Sequence, residues 1–214
     1  MPYEMYSKDM EVPVVSMKFT DEGEHTGLKL YIVPDQLKRR LNISKEYRIR
    51  EKIGAISFSI PGEGEDAEDE MEFDEDEQAF YKKDNGIKFN SLYGSNDLRD
   101  VPVYKLQKSG DLLIEVPQFR NFMMHNVLAE SLMDVLKPSC IHLALELEEI
   151  NGKTVDKPSL LSAAGSEKVL QSVSCGSATV LDGATASFVS VTLSSGIAIR
   201  FVAVPGPSRG NLYL

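Results

Sequence analysis

The sequence has no tryptophan, only two cysteines and only three histidines in 214 residues. Each scarcity excludes something. Cys140 and Cys175 cannot build the disulfide framework of a small secreted fold, and both thiols read as buried rather than reactive. His25, His125 and His142 lie far apart, with no carboxylates at ligand spacing, so no metal site is expected. His125 falls within a helical pattern and His142 within an apolar strand, and both read as satisfied structural histidines. No run of 18 apolar residues is present to span a bilayer. The start, "MPYEMYSKDMEVPVVS", lacks the basic and then apolar segments of a secretory signal. The expected setting is reducing, in the cytoplasm and the nucleus.

Catalytic motifs are missing too. There is no G-x-G-x-x-G after a strand, no Walker phosphate loop, no G-x-S-x-G and no H-E-x-x-H. The stretch "SVSCGSAT" around Cys175 has the outline of a nucleophile turn. Nothing local supplies the base or the positive field that a catalytic thiolate needs. The acidic residues lack the alternating register of a calcium loop. No catalytic residue, no metal and no cofactor is expected, and the chain reads as something other than an enzyme.

What is present is a core and an uneven distribution of charge. Apolar residues make up 42% of the chain, enough to bury a real core. The net charge of −10 belongs to one insert: Glu63 to Glu77 carries 11 acidic residues and no basic one, leaving 22 acidic against 23 basic elsewhere. Like charges at this density repel and have little to bury, which predicts a disordered loop over 61–85. It reads either as a lure for a basic partner or as a tolerated surface insertion. Just before it, Lys38 to Lys52 holds seven basic residues against two acidic. That run reads either as a contact for nucleic acid or an acidic partner, or as a solvated helix face offsetting the insert. Its single aromatic, Tyr47, and its lack of a binding motif favour the helix face.

Periodicity places the elements. Val12–Phe19, Leu28–Val33 and Ala55–Ile60 suit strands, and "PDQLKRRL" a short helix opened by Pro34. "VPVYKLQ" and "DLLIEVP" read as two strands of a hairpin turning at "KSG". Phe119, Phe122, Met123, Val127, Leu128, Leu132, Val135 and Leu136 form one stripe of an amphipathic helix of about 19 residues that stops before Pro138. "CIHLALEL" is a near-continuous apolar strand, of the kind covered on both faces. Residues 149–168 read as loop, with a turn at "NGK". Asp182 as a cap, Ala184, Phe188 and Val191 on one face, and Gly196 as the terminating glycine predict another helix. "IAIRFVAV" is the last strand. Strand, long helix and buried strand is the βαβ rhythm, and the predicted class is α/β, a central, largely buried β-sheet flanked by helices. The boundaries drawn are one domain over 1–204, containing the acidic insert, and a flexible tail over 205–214.

That tail is the one candidate site. Pro205, Gly206, Pro207, Ser208 and Gly210 make a semi-flexible tether to Leu212, Tyr213 and Leu214. The leucine offers roughly 1.5–3 kcal/mol on full burial. The tyrosine adds apolar area with a polar tip, and a terminal carboxylate can be captured by a lysine or a backbone nest. On these three residues alone, a plug for a socket on another protein and a frayed end both remain open.

The hydrophobic–Tyr–X ending resembles that of proteins that dock on the proteasome core particle. The chain has neither AAA motifs nor helical repeats, which sets aside ATPase ring subunits and helical-repeat activators. It resembles the proteasome assembly chaperone 1 family, the first partner of the heterodimeric chaperone pair, in its fungal-type form. Three stretches carry this: "VPVYKLQKSGDLLIEVPQF", "NFMMHNVLAESLMDVLKPSCIHLAL" and "SSGIAIRFVAVPGPSRGNLYL", together the last half of the chain. Members carry more chain between the last core strand and the tail, whereas here the tail leaves almost directly after Val204. The resemblance implies a non-enzymatic protein that pairs with a sister chaperone, caps the α-ring of 20S core-particle precursors and inserts its tail between adjacent α-subunits. Leu212 would fill the apolar part of that pocket, Tyr213 would wedge at its mouth, and the Leu214 carboxylate would meet a lysine. Neither nucleic acid nor a membrane is among the implied partners. Two other functions fit the residues: an acidic histone or ribosomal-protein chaperone acting through 63–77, and a regulator of mature proteasome using the same tail.

Overall fold

The computed structural model describes residues 13–20, 22–42, 44–59, 99–120, 123–150, 153–174 and 183–206. The acidic insert and Cys175 lie outside the described residues, as do Leu212, Tyr213 and Leu214.

Among the described residues, eight strands form one mixed sheet in the order β1-β3-β4-β5-β2-β6-β10-β9. They are β1 (Val14–Phe19), β2 (Lys29–Pro34), β3 (Arg50–Ser59), β4 (Val101–Leu106), β5 (Leu112–Val116), β6 (Cys140–Leu147), β9 (Ser159–Leu160) and β10 (Ala198–Pro205). A separate small hairpin joins β7 (Glu149–Ile150) to β8 (Lys153–Thr154). Strands β1, β3, β4 and β5 pair antiparallel, whereas β5, β2, β6 and β10 run parallel. The helices are α1 (Lys38–Leu41), α2 (Lys45–Arg48), α3 (Met123–Leu136), α4 (Ala163–Ser174) and α5 (Gly183–Ser194), with a 3-10 turn at Asp35–Leu37 before α1. The expected α/β class and helix-flanked sheet are what the chain adopts. The expected βαβ unit is β5–α3–β6, and β2 lies between its two strands.

Side-chain alternation divides the sheet into two faces. One face turns Leu30, Ile32, Ile114, Ile141, Leu143 and Phe201 onto α3 and α5, and these residues form the main core with Leu128, Leu132 and Phe188. The other turns Tyr31, Val33, Leu113, Ala144, Val202 and Val204 onto Leu37, Leu41 and Tyr47 of the connector between β2 and β3. The parallel strands are therefore covered on both sides, which is why they read as almost unbroken apolar runs.

The local signals for turns and stops act where expected. The β4–β5 hairpin turns at 107–109, and Gly110 takes φ 75°, a conformation that favours glycine. Gly196 takes φ 68°, its N–H bonds the Leu193 carbonyl at 3.2 Å and that of Ile197 bonds Thr192 at 3.2 Å. Those two bonds are the Schellman closure of α5, with Gly196 in the terminating role. At the end of α3, the Leu136 carbonyl accepts the Gly27 N–H at 3.1 Å. Gly54 follows a bulge in β3, and a Cβ there would sit 2.5 Å from the Lys18 carbonyl oxygen of β1.

Several expectations need correction. The long helix begins at Met123 and has 14 residues, with Phe119 buried ahead of it against Phe58 and His125. Its buried side is Met124, His125, Leu128, Ala129, Leu132, Met133 and Leu136, so the apolar stripe is rotated and Val135 faces solvent at 49% exposure. Methionine and alanine, which the periodicity underweighted, fill positions next to the sheet. Region 149–168 is not all loop. It holds β7, β8 and β9 and the start of α4, where Ser166 accepts the Phe201 N–H at 3.1 Å and the Leu161 N–H reaches the Phe201 carbonyl at 2.8 Å. Those bonds close the outer edge of β10. Finally, Lys38–Lys52 is not one helix face. It is two single-turn helices and the first residues of β3, crossing the second face of the sheet.

Candidate functional site: the root of the tail

Several titratable groups lie inside the fold. His142 is buried at 3% exposure, edge-on to Tyr31 with ring centroids 4.5 Å apart. Its Nδ1 has no hydrogen-bond partner among the described residues, so the expectation of a satisfied histidine is corrected. Burial, reinforced by Lys29 and Arg200 against the opposing pull of Asp111, pushes its pKa down to about 4. It is therefore neutral at physiological pH. Burial holds the Cys140 thiol above its ordinary value despite Arg200 and Lys29, which disfavours a reactive thiolate. Burial also raises Tyr31 beyond the phenol range and Tyr47 to about 12. Every one of these shifts has desolvation as its first cause and favours the neutral form, as core packing does.

His125 serves the fold. Its Nε2 lies 3.3 Å from the Pro117 carbonyl and 3.4 Å from the Phe119 nitrogen, tying the first turn of α3 to the segment leaving β5. Beside it, Gln36, Val116, Phe119, Gly183 and Ala184 line a cavity of about 100 Å³. It lies at the carboxyl end of β5, where α/β sheets take ligands. A water occupies about 30 Å³ of liquid and ligand pockets begin near 300 Å³, so this space suits a few waters. No three His, Cys, Asp or Glu side chains converge as metal ligands among the described residues.

Strand β10 ends at Pro205 beside β6, with Val204 opposite Glu146 and Pro205 opposite Leu147. Arg40 of α1 reaches this end. Its Nη1 donates to the Pro205 carbonyl at 2.7 Å and its Nη2 to Glu146 Oε2 at 2.7 Å. Gly206 lies against Glu148 and Glu146. One guanidinium thus forks across the carboxyl ends of two adjacent strands, the geometry for which arginine is suited. The pair is partly exposed, at 27% and 39%, and such pairs contribute about 0–1 kcal/mol.

The same connector is fixed at its other end by Arg50. This side chain pairs with Glu115, donates to Asn42 Oδ1 at 3.1 Å and lies 4.6 Å from the centre of the Tyr104 ring. Lys38 pairs with Asp35 at 2.6 Å. Three of the seven cations of the basic run are thus engaged in ion pairs, while Arg39, Lys45, Arg48 and Lys52 face solvent. Sequence reading singled out neither arginine pairing, because Arg40 meets partners 165 and 106 positions away and Arg50 one 65 away. The excess of arginine in a connector was the available signal.

Over residues 3–204 the chain matches the family model described as POC1 chaperone. The chain belongs to the POC1 chaperone family. The family expected from the resemblance is the one found, and the match extends over the first half of the chain, where the quoted stretches gave no support. No curated protein sequence matches it. Among solved structures the chain is similar to the crystal structure of Pyrococcus furiosus PbaB, an archaeal proteasome activator, at 10% identity and a TM-score of 0.46, covering 92% of this chain and 81% of that one.

Proposed function

We propose that this chain is a proteasome assembly chaperone. It pairs with a sister chaperone, caps the α-ring of 20S core-particle precursors and docks Leu212, Tyr213 and Leu214 in a pocket between adjacent α-subunits. Membership of the POC1 chaperone family carries this reading. The tail composition adds to it: an apolar residue and a tyrosine on a Pro/Gly tether are suited to a socket elsewhere. The mechanism is mass action, in which binding to α-ring intermediates favours them over off-pathway states and blocks early engagement of activators. No chemical step is involved, and the work is done in the cytoplasm and the nucleus.

The test is recovery of the full-length chain from native extract, followed by the same experiment without residues 212–214. Proteasome α-subunits together with a chaperone of similar size should co-purify, and the truncated chain should lose the α-subunits while keeping its sister and its melting temperature. Histones in place of α-subunits would overturn the reading, as would mature proteasome alone. So would a truncated chain that retains intermediates as well as full length does.

A further inference from the structure

We propose that the space between α2 and the β4–β5 turn is a partner site separate from the tail, one that takes a short acidic peptide segment of another protein. Lys45, Glu46, Ile49, Gln107 and Lys108 line a cavity there of about 480 Å³, which is within the range of ligand pockets. Its walls are held by main-chain bonds. The Gln107 N–H donates to the Ile49 carbonyl at 3.2 Å, and the Ile49 N–H donates to the Lys45 carbonyl at 3.3 Å. Behind them Arg50 ties the start of β3 to Glu115, and Tyr47 is buried edge-on to Tyr31. The backbone of the site is therefore in place before anything binds, which lowers the ordering cost of binding.

The chemistry of the walls selects the occupant. Lys45 and Lys108 are exposed and, among the described residues, neither forms an ion pair. Arg48 of the same short helix and Lys52 of β3 are exposed as well and add to the positive field. Ile49 gives a half-buried apolar wall, and the Gln107 amide can both donate to and accept from a peptide backbone. Carboxylates beside an apolar side chain on an extended backbone match these three features together. Nucleic acid fits less well, because the two nearby tyrosines cannot stack a base: Tyr47 is buried and the Arg50 guanidinium lies over the Tyr104 ring. A small anion fits less well too, since lysines on flexible stems are not the fixed, converging donors of a small-ligand site.

The experiment is fluorescence anisotropy of the full-length chain with a labelled peptide, Gly-Glu-Glu-Leu-Glu-Glu-Gly, at low salt. Lys45→Glu alone should weaken binding about threefold, and together with Lys108→Glu about tenfold or more. The melting temperature should hold, because both side chains are exposed. Glu46→Gln removes the one anion of the cavity wall and should tighten binding about twofold. Arg39→Glu reverses an exposed charge outside the cavity and should change binding less than about twofold. A peptide with Ser in place of Leu should bind more weakly, and deletion of 212–214 should change nothing. Absence of binding at about 0.5 mM chain overturns the proposal. So does an effect of Arg39→Glu as large as that of Lys45→Glu, or a single-stranded oligonucleotide of equal charge that binds more tightly than the peptide. Peptide binding that appears only once 63–77 is replaced by a Gly/Ser linker also overturns it, since the occupant is then the chain's own insert.

Discussion

Strands β5, β2, β6 and β10 on one side, and β1, β3 and β4 on the other, belong to a single sheet and differ in what covers them. The parallel half is buried on both faces: Ile32, Leu143 and Phe201 meet the helices, while Val33, Ala144 and Val202 meet the connector at 35–48. The antiparallel half is covered on the helix face, where Val15, Met17, Ile56, Phe58 and Val103 pack. On its other face Val14, Ser16, Lys18, Lys52 and Ser59 are exposed, whereas Leu106 and Tyr104 of β4 pack into the cluster beneath the connector. A hairpin such as β4–β5 joins neighbouring strands at one end of the sheet, off its faces. Crossovers between parallel strands must travel over a face, and they bring a layer with them. Coverage of the second face thus follows the path of the β2–β3 connector, which packs on the parallel strands and on Leu106 of β4 and leaves Val14, Ser16 and Lys18 of β1 exposed.

The largest test of this contrast is Val202→Asp. Val202 is 1% exposed beneath the connector, and a carboxylate there has no partner. A loss of about 4 kcal/mol or more is expected in urea denaturation, enough to unfold many domains. A variant that melts like the parent would show that the connector does not seal this face. Next is Arg50→Ala, which detaches the connector from β5 and leaves Glu115 largely buried without its cation. It should cost about 2–4 kcal/mol, and a second change, Glu115→Gln, should recover part of that loss.

His142 provides a pH readout of the doubly covered half. Its folded pKa of about 4 lies below the ordinary value of 6.5. Between those values the unfolded chain binds the proton more readily, so this contribution is present above pH 6.5 and is lost as pH falls toward 4. The loss should be on the order of 2–3 kcal/mol, read from denaturation midpoints across that range. Since Glu and Asp titrate in the same region, the comparison is with His142→Phe, in which this part of the slope should disappear. The smallest effect is expected at Val14→Asp on the uncovered face. Val14 is 52% exposed, and the change should stay within about 0.5 kcal/mol. A loss approaching that of Val202→Asp would mean that something covers this face after all, and the contrast between the halves would fail.

Much of this architecture was legible because it depends on near neighbours. The "KSG" hairpin, the stop at Pro138 and the glycine closure of α5 each act within a few residues. The apolar run "CIHLALEL" announced a strand without a solvent face. What was missed depends on distant partners. Val135 counted as core by spacing, yet the docking of α3 turns it outward. Ser166 and Leu161 looked like loop residues until Phe201 supplied the groups they bond. The tail was legible as a candidate because a tether and its apolar tip are written consecutively. Its root was not, since Arg40 is one of several cations in a basic run and nothing near it names Pro205.

The sequence by itself determined the longer strands, helices α3 and α5, the β4–β5 turn, the class of the sheet and the family, because periodicity and turn chemistry are local and family resemblance is carried by ordered residues along the chain. Only the tertiary structure decided which face of α3 is buried, which half of the sheet is covered twice, and which arginine meets the end of β10. Those outcomes depend on groups dozens to more than a hundred positions apart, and burial and charge pairing act on distance in space, not on distance along the chain.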